Sequence, residues 1–204
     1  MAIKLTAGQK DALTELINIG FGRAGATLST MLEQRIILSV PEIDITSIDD
    51  LDKLVACYNH SEITTIHQVF SGTVSGNALL ILDELSASTL LDLLTNRTGR
   101  PRRLNASDRE ALIEIGNILL NAYVGSFGNI LNVNICFAVP NIQIDTVRGM
   151  FETLRIGQDG IKYVLVVRTE FRLSAGSVKG HVLIVMGVKS LDALISALED
   201  TGLL

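Results

Sequence analysis

What this chain has little of narrows its functions before any motif is read. It contains no tryptophan, and aromatic residues make up 4% of its 204 residues. Stacking platforms for unpaired bases are therefore not expected. Positive charge is also short, since seventeen Lys and Arg against twenty-two Asp and Glu leave a net charge of −5. A surface of that sign repels a phosphate backbone and an anionic bilayer, so neither nucleic acid nor membrane insertion is expected, and a basic protein patch is the better-matched partner. Three prolines leave little room for linkers. The N-terminus, Met1-Ala-Ile-Lys-Leu-Thr, lacks the charged start and unbroken apolar core of a secretion signal, and no apolar run reads as long enough to span a membrane. A cytoplasmic protein is expected, in which the sequons at Asn59, Asn96 and Asn105 never meet a glycosylating enzyme. Cys57 and Cys136 have no second thiol or histidine at ligand spacing and read as core or inert residues.

What the chain does have is a full complement of core residues and a repeat. Hydrophobic residues amount to 48% and charged residues to 19%, a globular balance. One domain over 1–204 is expected, made of two repeats at about 6–98 and 105–204. Asp11-x3-Glu15-x2-Asn18 is followed after twenty-two residues by Pro41, and Glu110-x3-Glu114-x2-Asn117 is followed after twenty-two residues by Pro140. A single Glu-x2-Asn-x22-Pro arises by chance in roughly 2% of chains this long, so two copies are signal. Duplicated folds repeat apolar positions because both halves bury a core. Repeated polar residues need a further reason.

Each motif sits on a predicted helix. Thr6 and Gln9 offer a capping box, and Leu13, Leu16, Ile17, Phe21, Ala24, Leu28 and Met31 form an apolar stripe. Asp11, Glu15, Asn18 and Gly22 line a second face of that helix. In the other half Asn105 to Asp108 caps a helix with the stripe Leu112, Ile115, Leu119, Leu120 and Tyr123, and the polar line is Glu110, Glu114, Asn117 and Asn121. Residues 35–40 and 134–139 read as strands closed by Pro41 and Pro140. Further on, 72–82 reads as a strand pair or one long strand and 83–94 as a helix, with counterparts at 177–186 and 190–198, and 163–168 is a strand. Helix, strand, strand, strand, helix, written twice, predicts an α/β, α+β-layered fold with helices packed on a largely antiparallel sheet.

Gly20-x-Gly22-x-x-Gly25, with Glu42 and Asp44 downstream, has the spacing of a dinucleotide-binding turn. That turn needs a strand before it, whereas these glycines fall inside a helical apolar pattern running from Leu13 to Met31. They read instead as small residues that let another helix or a partner chain approach. The plain reading of Glu15, Asn18, Glu114 and Asn117 is a solvated helix face. Such a face tolerates Lys, Gln or Ser anywhere, yet Glu and Asn recur at one spacing, and Asn is a poor mid-helix residue because its side chain competes for backbone hydrogen bonds. His60, His67 and His181 share no repeat position and no metal-ligand spacing. An amide has no useful proton-transfer pKa, but its carbonyl and NH2 can hold a water in a set orientation, while a carboxylate can pair with a cation on a docked partner. Such a pair suits insertion into another protein's active site.

The doubled pattern resembles the motif of the CheC family of chemotaxis phosphatases, (Asp/Ser)-x3-Glu-x2-Asn-x22-Pro, and the likeness in layout covers nearly the whole chain. Two copies favour CheC over the one-motif CheX relatives, and a chain stopping at Leu204 without the extra C-terminal domain of FliY favours a free protein. Glu110 stands where the motif has Asp or Ser. The resemblance implies two long helices side by side on a six-stranded sheet, and hydrolysis of the aspartyl phosphate of the response regulator CheY. Glu15 and Glu114 would then anchor to the receiver's lysine, and Asn18 and Asn117 would orient water for in-line attack. Magnesium would belong to the receiver, with no cofactor or metal held by this chain. The region after Pro140, with Asp145 and Gly149, resembles a contact for the receptor deamidase CheD. The alternative is an adaptor that docks a receiver or CheD without turnover.

Overall fold

A computed structural model describes residues 6–31, 33, 35–38, 42–47, 62–95, 104–150, 161–173 and 176–200. The helices described in full are α1 (Ala7–Met31), α2 (Glu84–Thr95), α3 (Ala106–Leu131) and α4 (Val188–Asp200). Eight strands are β1 (Ile36–Leu38), β2 (Glu42–Ser47), β3 (Glu62–Gly72), β4 (Gly76–Asp83), β5 (Ile135–Phe137), β6 (Asn141–Thr146), β7 (Ile161–Leu173) and β8 (Gly176–Gly187). The helices begin where local chemistry says they should. Thr6 N donates to Gln9 Oε1 at 2.9 Å and Gln9 N to Thr6 Oγ1 at 3.2 Å. Asn105 and Asp108 make the same reciprocal box at the start of α3, at 2.9 and 3.1 Å, and Asp83 Oδ1 accepts from Ser86 N at 2.7 Å at the start of α2.

The eight strands occupy six lateral positions, and every pairing is antiparallel. β4 and β8 pair at the centre, each flanked by its hairpin partner, β3 or β7. β1 and β2 share one edge position along β7, and β5 and β6 share the other along β3. The edges are exchanged between halves: the strands that follow α1 pair with the second hairpin, and those that follow α3 pair with the first. The register obeys the same two-fold, with Ile36 opposite Leu173 on one side and Ile135 opposite Gly72 on the other.

The six-position antiparallel sheet under two long helices agrees with the sequence reading, with two differences in the strands. The prolines were read as strand terminators, whereas the edge resumes after them as β2 and β6. Pro41 lies outside the described residues, and Pro140 occupies a gap in the edge position, where its missing N–H costs no ladder bond. The hairpin turn also falls earlier than a pair within 72–82 suggests, with β3 ending at Gly72 and β4 starting at Gly76. From the sequence, 47–50, 95–103 and 157–160 also read as loops; of these only Ser47, ending β2, and Thr95, ending α2, are among the described residues.

α1, α2, α3 and α4 pack on one face of the sheet, in a single cluster that joins Leu16, Ile17, Leu119 and Tyr123 to Ile66, Leu80, Val182 and Ile184. The predicted stripes of α1 and α3 are the buried ones. The opposite face is buried too: Ile63, Leu79, Ile81, Leu183 and Val185 are all at most 1% exposed. Thr65 Oγ1 and Met150 Sδ, 3.4 Å apart, meet on that side. Burial of both faces explains the near-continuous apolar runs of β4 and β8. Among the described helices, α3 alone is long and apolar enough to cross a membrane, by length and composition. Half of that window is buried in the core, which accounts for its apolarity.

Candidate functional site

Because α1 and α3 each turn one stripe into the core, their polar lines face outward. Asp11, Glu15 and Gly22 are exposed and Asn18 is half-buried. On α3, Glu110 and Glu114 are exposed while Asn117 and Asn121 are half-buried. Each Glu–Asn pair thus stands on an accessible ridge, the carboxylate in solvent and the amide nearer the sheet. The two ridges belong to neighbouring helices. α1 meets α3 at Gly20, where an added Cβ would stand 2.8 Å from Ala122 O and 3.0 Å from Ser126 Oγ, and the Phe21 and Tyr123 rings lie edge to face 4.3 Å apart. Of the three glycines with dinucleotide-turn spacing, Gly20 permits this approach, whereas Gly22 has open space around it. All three lie inside α1, with no strand-to-helix turn among them.

The two amides differ in their surroundings. Asn18 makes no side-chain hydrogen bond among the described residues. Asn117 Oδ1 accepts two, from Asn121 Nδ2 at 2.8 Å and from Gln68 Nε2 at 3.3 Å. Gln68 Nε2 also donates to Ala138 O at 3.0 Å. Here the exchanged edge and its proline matter: Ala138 N still bonds Val69 O at 2.9 Å, but the ladder then breaks, so the Ala138 carbonyl is turned to a side chain. The twenty-two-residue spacing from Asn117 to Pro140 thus brings the break in the edge beside the amide. From the sequence Pro140 reads as structural, and Gln68 lies outside the repeated motif. The available signal was alternation in β3, which puts Gln68 on the same face as Ile66 and Phe70, a polar residue pointing into a core.

Val139, 89% exposed, stands on this break. Asp145 and Gly149, expected at a partner contact, lie together at the end of β6 and just beyond it. Asp145 is exposed, its carboxylate sits where a Gly149 side chain would go, and Gly149 N donates to Thr146 Oγ1 at 3.2 Å. Cys136 is exposed on β5 rather than in the core, and Cys57 and His60 lie outside the described residues. His67 Nε2 contacts Asn77 Oδ1 at 2.8 Å, and among the described residues no three His, Cys, Asp or Glu gather as a metal site. An open cavity of about 350 Å³, lined by Glu62, Thr64, Glu84, Ser88, Arg109 and Ile144 among others, contains none of the motif residues.

A model of the CheC-like family matches residues 9–45, the stretch holding Glu15, Asn18 and Pro41. The flagellar motor switch phosphatase FliY of Bacillus subtilis (strain 168) is 23% identical over 84% of this chain and 44% of its own length. The CheY-P phosphatase CheC of the same organism is 24% identical over 75% of this chain and 77% of its own. The chain therefore spans less than half of FliY and about three quarters of CheC. Among solved structures, Thermotoga maritima FliY superposes with a TM-score of 0.78 at 19% identity, covering 98% of this chain and 100% of that one. The FliM middle domain from H. pylori shares the fold at a TM-score of 0.64 and 12% identity, covering 95% and 99%. These matches make the chain similar to the CheC/CheX/FliY group. Within it CheC does not stand nearer than FliY, which corrects the narrower expectation.

Proposed function

We propose that this chain hydrolyses the aspartyl phosphate of a CheY-type receiver domain. The observation that carries the reading is the pair of accessible Glu–Asn ridges, Glu15 with Asn18 and Glu114 with Asn117, one helical turn apart on each of two packed helices. On docking, each Glu pairs with a receiver lysine and each Asn reaches the phosphorylated aspartate, where its amide orients a water in line with the bond to be broken. Water attacks phosphorus, the aspartyl oxygen leaves with the bonding pair, and phosphate and a free carboxylate result. Magnesium in this reading sits on the receiver. An acyl phosphate is already labile, so positioning supplies the acceleration and no nucleophile from this chain is needed. The names of FliY and CheC, both phosphatases, support the reading.

A binding module that docks a receiver or CheD without turnover is the second reading, favoured by the shared fold of the FliM middle domain. Asp145 and Gly149 would serve the CheD contact. Phosphate release from a phosphorylated CheY-type receiver with magnesium, measured for the wild type, Asn18→Ala, Asn117→Ala and the double variant, separates the two. Partial loss of acceleration in each single variant and full loss in the double one are expected. A double variant as active as the wild type removes the site assignment, and a wild type that binds without accelerating hydrolysis decides for the adaptor.

A further inference from the structure

We propose that Gln68 is a positioning residue that sets which end of the Asn117 amide faces a docked partner. The chain of constraint starts at the backbone. The Ala138 carbonyl can only accept, so Gln68 must turn its NH2 toward it, at 3.0 Å. The same NH2 lies 3.3 Å from Asn117 Oδ1, and Asn121 Nδ2 adds a second donor at 2.8 Å. Interchanging the ends of the Asn117 amide would put NH2 against two NH2 groups, so its carbonyl is committed inward. Its Nδ2 is the branch left over, engaged by no acceptor among the described residues, on a residue that is half-exposed. Gln68 itself is 2% exposed, and its Oε1 and Asn121 Oδ1 are buried with no hydrogen-bond partner among the described residues.

The first ridge has no such relay among the described residues. The repeat position of Asn121 is Gly22, which is exposed and surrounded by open space. Among the described residues no group fixes the Asn18 amide, whereas Asn117 offers an N–H. Resting on the phosphatase reading, this means that Asn117 holds its water by donating to the water oxygen, in an orientation preset before docking.

The test isolates the second ridge in an Asn18→Ala background. Gln68→Leu, close in volume, should lower phosphate release at saturating receiver about tenfold with little change in KM, as expected for a misaimed group. That loss should vanish when Asn117 is already Ala, which a general loss of folding would not do. Side-chain amide exchange by NMR gives a readout free of activity: Gln68 and Asn121 NH2 protons should exchange at least about tenfold more slowly than those of Asn117, and Gln68→Leu should release Asn121. Fast exchange at Gln68 in the wild type overturns the proposal. So does an unchanged rate for Gln68→Leu in a background where Asn117→Ala abolishes activity. If neither Asn18→Ala nor Asn117→Ala alters hydrolysis, the phosphatase reading fails instead, and slow exchange at Gln68 and Asn121 still upholds the relay.

Discussion

Gly20 of α1 lies so close to Ala122 of α3 that a Cβ on the glycine would stand 2.8 Å from the alanine's carbonyl oxygen. The neighbour is backbone and cannot swing aside. Two residues further along α1, Gly22 meets nothing. The same residue type on one helix therefore does opposite things: Gly20 brings together the helices that carry the two Glu–Asn pairs, while Gly22 keeps the outer face of the first pair clear.

Alanine at the two positions should change stability in opposite directions. Gly20→Ala forces α1 and α3 apart and is expected to cost about 1–3 kcal/mol, as overpacking does. Gly22→Ala adds helix propensity without a clash and should gain about 0.5–1 kcal/mol. Urea denaturation of the two variants beside the wild type checks the sign of each change.

The long helices and their caps were legible because their signals are local: Thr6 with Gln9, Asn105 with Asp108, and apolar stripes at helical spacing. The exchange of edge strands was not, since two copies of one pattern satisfy pairing within a half or across halves equally well. Ile43 with Ile45 and Ile142 with Ile144 carried a period-two strand signal, but a proline just ahead of each run read as an end rather than a break. The accessible Glu15 and Glu114 could be placed from helical spacing alone. The tether on Asn117 could not, because Gln68 comes from the other half and reaches the amide only through that exchange.

Tyr123→Phe should stabilise the protein. The phenol is fully buried, its hydroxyl has no hydrogen-bond partner among the described residues, and burial pushes its pKa well above 10.0. Removing an unsatisfied hydroxyl is worth about 1 kcal/mol. The pH dependence adds a second mark. Above about pH 10 the unfolded chain releases the phenolic proton while the native state holds it, so wild-type stability falls as pH rises. Denaturation at pH 8 and pH 10.5 should show the advantage of Tyr123→Phe widening at the higher pH.

Asn105→Ala removes one half of the box at the start of α3, where Asp108 N donates to Asn105 Oδ1 and Asp108 Oδ2 accepts from Asn105 N. The loss should be about 1 kcal/mol. The cap lies one turn from Glu110 on the ridge of the second pair, so fraying there should also loosen that ridge. Amide exchange should rise first in the opening turn of α3, with the opening turn of α1 unaffected.

Charge reversal on the ridges tests the docking half of the phosphatase reading apart from the chemistry. Glu15 and Glu114 are exposed, so either can be replaced by Lys without disturbing the core. A lysine there would face the receiver lysine that each carboxylate is proposed to pair with. An exposed ion pair contributes about 0.2–1 kcal/mol and reversal adds a like-charge repulsion. Glu15→Lys or Glu114→Lys should therefore weaken receiver binding about three- to tenfold at low salt. The difference should shrink toward physiological salt, where the screening length is about 8 Å. Calorimetric titration with a receiver carrying a phosphate mimic, at two salt concentrations, reads this out. Unchanged affinity at low salt for the double reversal would leave the two carboxylates without a partner lysine. Weakened binding with the rate at saturation unchanged would instead assign them to docking and leave the water to Asn18 and Asn117.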